Sequence, residues 1–172
     1  MNAFTPIGFY DLSNLFASYV GKHKRALVES TDPRHTGVRY LDLLRDRERT
    51  QTLEEWPSAQ AFLQRVERRL AELPNATELL NAYIVAFDPE GFEAWGKEDT
   101  IDPSGFMRVE VLLGPAPGFR CYSGNEAIAP TPWVATVVDH RALSSRSNFN
   151  APNSAHQLVL ELAIDAGEQN VL

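Results

Sequence analysis

Residues 79–87 read Leu-Leu-Asn-Ala-Tyr-Ile-Val-Ala-Phe, and the choice of fold class turns on them. Leu80, Ala82, Ile84 and Ala86 alternate with Leu79, Asn81, Tyr83, Val85 and Phe87. A period of two with apolar side chains on both faces predicts a strand in the middle of a sheet. Downstream the same period recurs. Met107, Val109, Val111 and Leu113 alternate with Arg108 and Glu110, which predicts a half-buried strand, and Leu158, Leu160, Leu162 and Ile164 alternate with Glu161 and Asp165. Phe119–Tyr122 and Trp133–Val138 read as shorter strands.

Upstream of Pro74-Asn75 the period lengthens toward 3.6. Leu12, Leu15, Phe16, Tyr19 and Val20 form the stripe of an amphipathic helix, with Asp11 or Ser13 available as a cap and Gly21 as a stop. Leu41 and Leu44 suggest a second helix over about 38–49. Pro57 opens a third, lined by Phe62, Leu63, Val66, Leu70 and Leu73. Helices first and strands afterwards, without βαβ alternation, predict an α+β fold with N-terminal helices packed on a mainly antiparallel C-terminal sheet. No linker divides the chain, so residues 1–172 are expected to form one domain, helical over about 10–73 and strand-rich over about 79–165.

The 172 residues are 44% hydrophobic and 23% charged, a globular composition, with a net charge of −7. Residues 1–73 carry eleven Lys or Arg against ten Asp or Glu, whereas residues 74–172 carry five against thirteen, a net of −8 there. That acidity argues against direct binding of nucleic acid, whose phosphates call for a basic surface. The N-terminus lacks a basic stretch followed by an apolar one, and no apolar run approaches the length of a membrane span. With a single cysteine, Cys121, no intrachain disulfide forms. The expected setting is the bacterial cytoplasm, without membrane contact.

Motifs for catalysis are wanting. Gly114-Pro-Ala-Pro-Gly118 lacks the amides of a phosphate loop, and Ser123 follows Cys121-Tyr122 where a nucleophile elbow needs glycine. Cys121, His140 and Asp139 make a nucleophile–base–orienter set only if the fold assembles them. His23, His35 and His156 show no ligand spacing for zinc, and Asp102 and Glu110 lack the lysine of a nuclease site. The sequence therefore predicts no catalytic residue, no metal and no cofactor.

The unusual segment is Asp88-Pro-Glu-Gly-Phe-Glu-Ala-Trp-Gly-Lys-Glu-Asp-Thr-Ile-Asp102, six acids and one lysine around two aromatics. Its plain reading is an exposed acidic connection between strands. Its functional reading is a partner-binding surface formed by Asp88, Glu90, Phe92, Glu93, Trp95, Glu98, Asp99 and Asp102. There the aromatics supply desolvated area and the carboxylates steer a basic partner. On this segment, together with size, acidity and element order, the chain resembles the immunity proteins of bacterial polymorphic-toxin and type VI secretion systems. Those paired with restriction-endonuclease-like toxins are the most similar in layout. The resemblance implies a non-enzymatic inhibitor, a monomer or homodimer that neutralises a cognate protein toxin with a basic cleft. An effector chaperone or adaptor, and an enzyme of unrecognised family, are the alternatives.

Overall fold

One strand, β5 (Ala76–Trp95), runs for 20 residues and carries the alternating stretch in its first half. The computed structural model, which describes residues 4–72, 76–95, 106–138 and 144–164, wraps the other strands around it. These are β1 (Phe4–Phe9), β2 (Val28–Glu29), β3 (Thr36–Arg45), β4 (Glu48–Arg49), β6 (Phe106–Leu112), β7 (Arg120–Ser123), β8 (Glu126–Ile128), β9 (Val134–Val138), β10 (Ser144–Ser147) and β11 (Ala155–Ile164). Their order is β1-β9-β6-β11-β5-β10-β7-β8, with β3 added to β5 and with β2 and β4 added to β3. The expected antiparallel sheet is present, and every ladder among the described residues is antiparallel.

β5 belongs to two walls. Residues 76–87 pair with β11, and residues 92–95 pair with β10. The walls face each other, so the sheet closes most of the way into a flattened barrel. Phe87 of one wall packs on Phe119, just before β7 of the other, with ring centroids 5.0 Å apart. Two cores follow from strand alternation. Val85, Phe87, Leu112, Phe119, Cys121 and Val159 point into the barrel. Ala82, Ile84, Val109, Val111, Leu158 and Leu160 point outward beneath the helices.

The helical cover is α1 (Ser13–Ser18), which loosens into a π turn over Tyr19–His23 and a 3-10 turn over Lys24–Ala26, then α2 (Gln51–Glu54) and α3 (Pro57–Leu70). Gly21 falls inside the π turn and does not stop the run. Thr50 caps α2 by accepting the Leu53 N–H at 3.3 Å, and Pro57 takes the first turn of α3, where a missing N–H costs no hydrogen bond. Leu15, Tyr19, Leu53, Trp56, Ala59 and Leu63 bring this cover onto the outer core. No helix among the described residues is long and apolar enough to cross a membrane.

Two expectations fail here. The arrangement of helices followed by a sheet does not hold, because β1 precedes α1 and the region expected to be helical contributes β3 to the middle of the sheet. The helix expected over 38–49 is the β3–β4 hairpin, turned by Asp46 and Arg47 at positive φ. Leu41 and Leu44 share the outer core at a helix-like spacing of three because the register of β3 on β5 shifts between Asp42 and Leu44. An irregularity of this kind returns a side chain to the face it would otherwise leave.

The passage of β5 between walls is a second irregularity. The β3 register jumps from Val38↔Phe87 to Thr36↔Phe92, with Glu90 at positive φ and Gly91 pressed against the neighbouring backbone. Asn148 clamps the crossing. Its Nδ2 donates to the carbonyls of Phe87, Asp88 and Asn153 at 3.1, 3.3 and 2.9 Å, and its backbone N–H donates to Gly91 O at 2.9 Å. A Cβ at Gly91 would sit 2.7 Å from Asp88 O and 2.8 Å from Gly37 O. Both are backbone atoms and cannot swing away. Gly91→Ala is therefore expected to destabilise the fold by roughly 1–3 kcal/mol, the range for overpacking, read as a lowered urea midpoint. An unchanged midpoint would mean that the crossing is pliable.

Candidate functional site

Polar side chains meet inside the barrel, where strand alternation alone would have suggested solvent. Arg108 and Glu110 of β6, Gln157 and Glu161 of β11, Tyr83 and Glu93 of β5, Tyr40 of β3, Cys121 of β7 and Arg146 of β10 all take the inward positions of their strands. Glu93, Arg108, Glu110, Arg146 and Gln157 are each at most 6% exposed.

Arg146 is the hub. Its guanidinium forms an ion pair with Glu93, reaching it through both Nε and Nη2. Through Nη1 it donates to Gln157 Oε1 at 2.7 Å and to Glu110 Oε1 at 3.2 Å. Gln157 Nε2 donates in turn to Glu110 Oε2 at 3.0 Å, and Tyr40 Oη donates to the second oxygen of Glu93. Arg108 Nε lies 3.2 Å from Glu110 Oε1, and its Nη2 donates to Tyr83 Oη at 2.9 Å. Tyr83 Oη passes the chain on to Glu161 at 3.1 Å, which also accepts from Asn81 at 2.7 Å. Phe87 lies beneath Arg146, with its ring centroid 5.4 Å from the guanidinium carbon.

These contacts fix the charges. Burial alone would lower Arg146, but Glu110 and Glu93 outweigh it and hold the guanidinium well above its usual value. Arg108 is raised in the same way, with Tyr83 and Glu110 overcoming burial. Burial followed by Glu93 raises the Tyr40 phenol, and burial raises Tyr83. These four groups thus keep their protons at neutral pH, the two guanidiniums as cations and the two phenols uncharged.

Cys121 joins the cluster at its edge. Gln157 Nε2 is 3.7 Å from its sulfur, and Glu110 Oε2 is 4.0 Å away. Burial, then Glu110, pushes the thiol well above its usual range, the opposite of what a nucleophile requires. Asp139 and His140 lie outside the described residues.

The acidic-aromatic segment divides. Glu93 is fully buried at the hub. Asp88 accepts from Arg39 at 2.5 Å and from Ser154 at 3.2 Å; Glu90 accepts the Asn150 N–H at 2.8 Å; and Phe92 stacks on Phe149 with centroids 6.1 Å apart. Asp88, Glu90 and Phe92 secure the β5 crossing. The Trp95 side chain and residues Glu98, Asp99 and Asp102 lie outside the described residues. Sequence reasoning missed Arg146, Glu110 and Gln157 as a group. Arg108 and Glu110 in particular were read as the polar partners of a half-exposed strand.

The described histidines stand apart. His23 stacks on Trp56 with centroids 4.4 Å apart. His35, in the turn before β3, has Nδ1 2.8 Å from Ser30 Oγ. His156 lies on the outer face of β11, between Phe16 at 5.6 Å and Tyr19 at 5.5 Å. Among the described residues no three His, Cys, Asp or Glu gather to hold a metal ion.

No family model and no curated protein matches the chain. Solved structures do. A 2OG-Fe(II) oxygenase family oxidoreductase from Burkholderia pseudomallei superposes with a TM-score of 0.65 at 14% identity, over 94% of this chain and 85% of that one. A Pseudomonas putida prolyl-4-hydroxylase gives 0.59 at 11% identity, over 95% and 93%. HygX from Streptomyces hygroscopicus, solved with nickel and 2-oxoglutarate, gives 0.60 at 11%, over 94% and 82%. At these identities the likeness is one of fold, and it spans nearly the whole chain. It overturns the resemblance to immunity proteins and with it the function of toxin neutralisation. The expectation of a non-enzyme is corrected as well, because this scaffold is the one these oxygenases use for catalysis.

Removing the hub cation takes the Arg146 ion pair from both buried carboxylates, leaving Glu110 with Arg108 and Gln157 and Glu93 with the Tyr40 hydroxyl. Arg146→Met is expected to cost about 3–5 kcal/mol, measured by urea unfolding. Adding Glu93→Leu should restore part of that loss, since one of the two carboxylates goes with it. A single variant as stable as the parent would show that the hub does not hold the walls.

His156 gives a pH dependence of known sign. Burial, then Lys24 and Arg39, lowers its pKa from 6.5 to about 4 in the folded protein. Between those values the unfolded chain binds a proton that the folded one refuses. The contribution is therefore intact above pH 6.5 and is lost as pH falls through about 4. The loss relative to His156→Phe should reach roughly 3 kcal/mol, and parallel stability profiles for the two proteins would refute it.

Proposed function

We propose that this chain is a divergent protein of the 2-oxoglutarate–Fe(II) oxygenase fold whose lumen carries a fixed-charge core in place of an iron centre. Non-haem Fe(II) oxygenases characteristically hold their metal with two histidines and one carboxylate on a single face. The chain has four histidines. His23 and His156 lie outside the barrel lumen, and His35 borders it with Nδ1 3.4 Å from Tyr40 Oη; no two imidazoles share a site among the described residues. The co-substrate fares no better. A dicarboxylate needs cations free to receive it, and both guanidiniums of the lumen are already bound to Glu93 and Glu110. The described residues therefore do not fit the metal or 2-oxoglutarate, and no oxidative step is derived through them.

The observation that carries this reading is the Arg146 cluster. The guanidinium engages two carboxylates and an amide oxygen, so these acceptors are spent on it and leave no lone pairs aimed at a shared point where a metal would sit. The whole-chain superposition supports the oxygenase scaffold, and the cluster supports its rebuilding.

The test uses the full-length chain with Fe(II), ascorbate and 2-oxoglutarate, reading iron retained after gel filtration and succinate formed. Substoichiometric iron and no succinate above a heat-treated control are expected. One iron per chain with 2-oxoglutarate-dependent succinate would overturn the reading. The metal would then draw on ligands in 96–105 or 139–143, and the chain would be an iron oxygenase.

A further inference from the structure

Outside the barrel, a cleft of about 500 Å³ opens between the first helical run, the turn after β6 and the segment leading into β11. Its apolar walls include Phe16, Val20, Leu113 and Pro115, and its polar contributors include Lys24 and His156. Three prolines line it, Pro89, Pro115 and Pro152, so its backbone is stiff there and short of N–H donors. The volume falls within the range of small-molecule sites.

The charge of the cleft runs against that of the chain. The protein has 23 acidic against 16 basic residues, yet none of the residues lining the cleft is Asp or Glu. The Lys24 ammonium makes no ion pair among the described residues and lies close enough to influence His156. His156 is 7% exposed, and its Nε2 is buried without a hydrogen-bond partner. Nearby, Tyr19 Oη is likewise buried and unpartnered. Unmet polar atoms in a buried setting usually cost about 1–3 kcal/mol each, so a site that retains them calls for an explanation. A bound molecule supplies one.

We infer that this cleft binds a small organic anion with an apolar body, a carboxylate on a short hydrocarbon or aryl frame. Lys24 receives one carboxylate oxygen as an ion pair. His156, neutral near pH 7, offers an uncharged hydrogen bond to the same end of the ligand. The hydrocarbon lies along Phe16, Val20, Leu113 and Pro115. A cationic ligand finds no carboxylate in the lining, and the nearby Asp88, which also acts on His156, is already paired with Arg39; a long peptide finds few backbone donors. The site sits on the outer face of β11 and is separate from the lumen, so it stands whether or not the barrel holds iron.

The experiment is calorimetric titration of the full-length chain with octanoate, with octylamine and octanol as controls, followed by NMR of the aromatic and methyl resonances. Saturable octanoate binding is expected, with octylamine not binding and octanol weaker. Resonances of Phe16, Val20, Leu113 and His156 should shift together. Lys24→Met, at a half-exposed position outside both cores, should weaken octanoate roughly tenfold or more, as loss of a charge-assisted hydrogen bond does. It should leave octanol unchanged. Equal binding of octylamine, an unaltered affinity in Lys24→Met, or shifts confined to other surfaces would each overturn the proposal, as would no saturation at millimolar octanoate.

Discussion

A buried guanidinium held between two buried carboxylates governs the interior of this protein. Each of the three charges would be prohibitive alone in a low-dielectric lumen, and each becomes tolerable because the others are there. The arrangement draws Glu93 from β5, Glu110 from β6 and Arg146 from β10, so both walls must be in register before Arg146 meets its two carboxylates. Tyr40 and Gln157 add β3 and β11 to the same condition. Apolar contacts tolerate a slipped strand; a charge that must find two named partners does not.

The cluster depends on the way β5 changes walls. Its first half faces the lumen through Tyr83, Val85 and Phe87, and the irregularity at Asp88–Gly91 resets the alternation so that Glu93 also points inward. Asn148, two residues after Arg146, ties down that irregularity through three carbonyls. The clamp and the hub therefore lie on one short stretch of chain. What appeared in the sequence as a recognition loop is, over residues 88–93, the hinge that makes the polar interior possible.

This explains which parts of the architecture were legible in the sequence. The central strand, β6, β7, β9, β11 and the helix from Pro57 all follow from periodicity, and an antiparallel sheet follows from their order. The hairpin of β3 was hidden because its irregular register gives leucines a helical spacing. β1 and β10 were hidden because Phe-Thr-Pro-Ile-Gly-Phe and Ser-Ser-Arg-Ser carry no two-faced alternation, and tertiary pairing alone makes them strands. The site was harder still. Alternation reports which residues share a face and is silent on whether that face meets water or a polar cavity. Arg108 and Glu110 alternate with valines as they would on any amphipathic strand, and only closure of the barrel distinguishes the two cases.

The same closure separates scaffold from chemistry. Neighbours at 11–14% identity share the fold over almost the full chain, which means that the outer core and strand order tolerate nearly complete replacement of the side chains. The lumen of this chain is mixed, with an apolar part formed by Val85, Phe87, Leu112, Phe119 and Val159 beside the polar cluster. The polar positions include two guanidiniums and two phenols whose pKa values are pushed above their usual ranges. His156, whose pKa burial lowers, lies on the opposite face of the wall, where a cleft with no Asp or Glu in its lining opens beside it. Ligand handling and structural electrostatics thus lie on opposite faces of β11, one residue apart at His156 and Gln157.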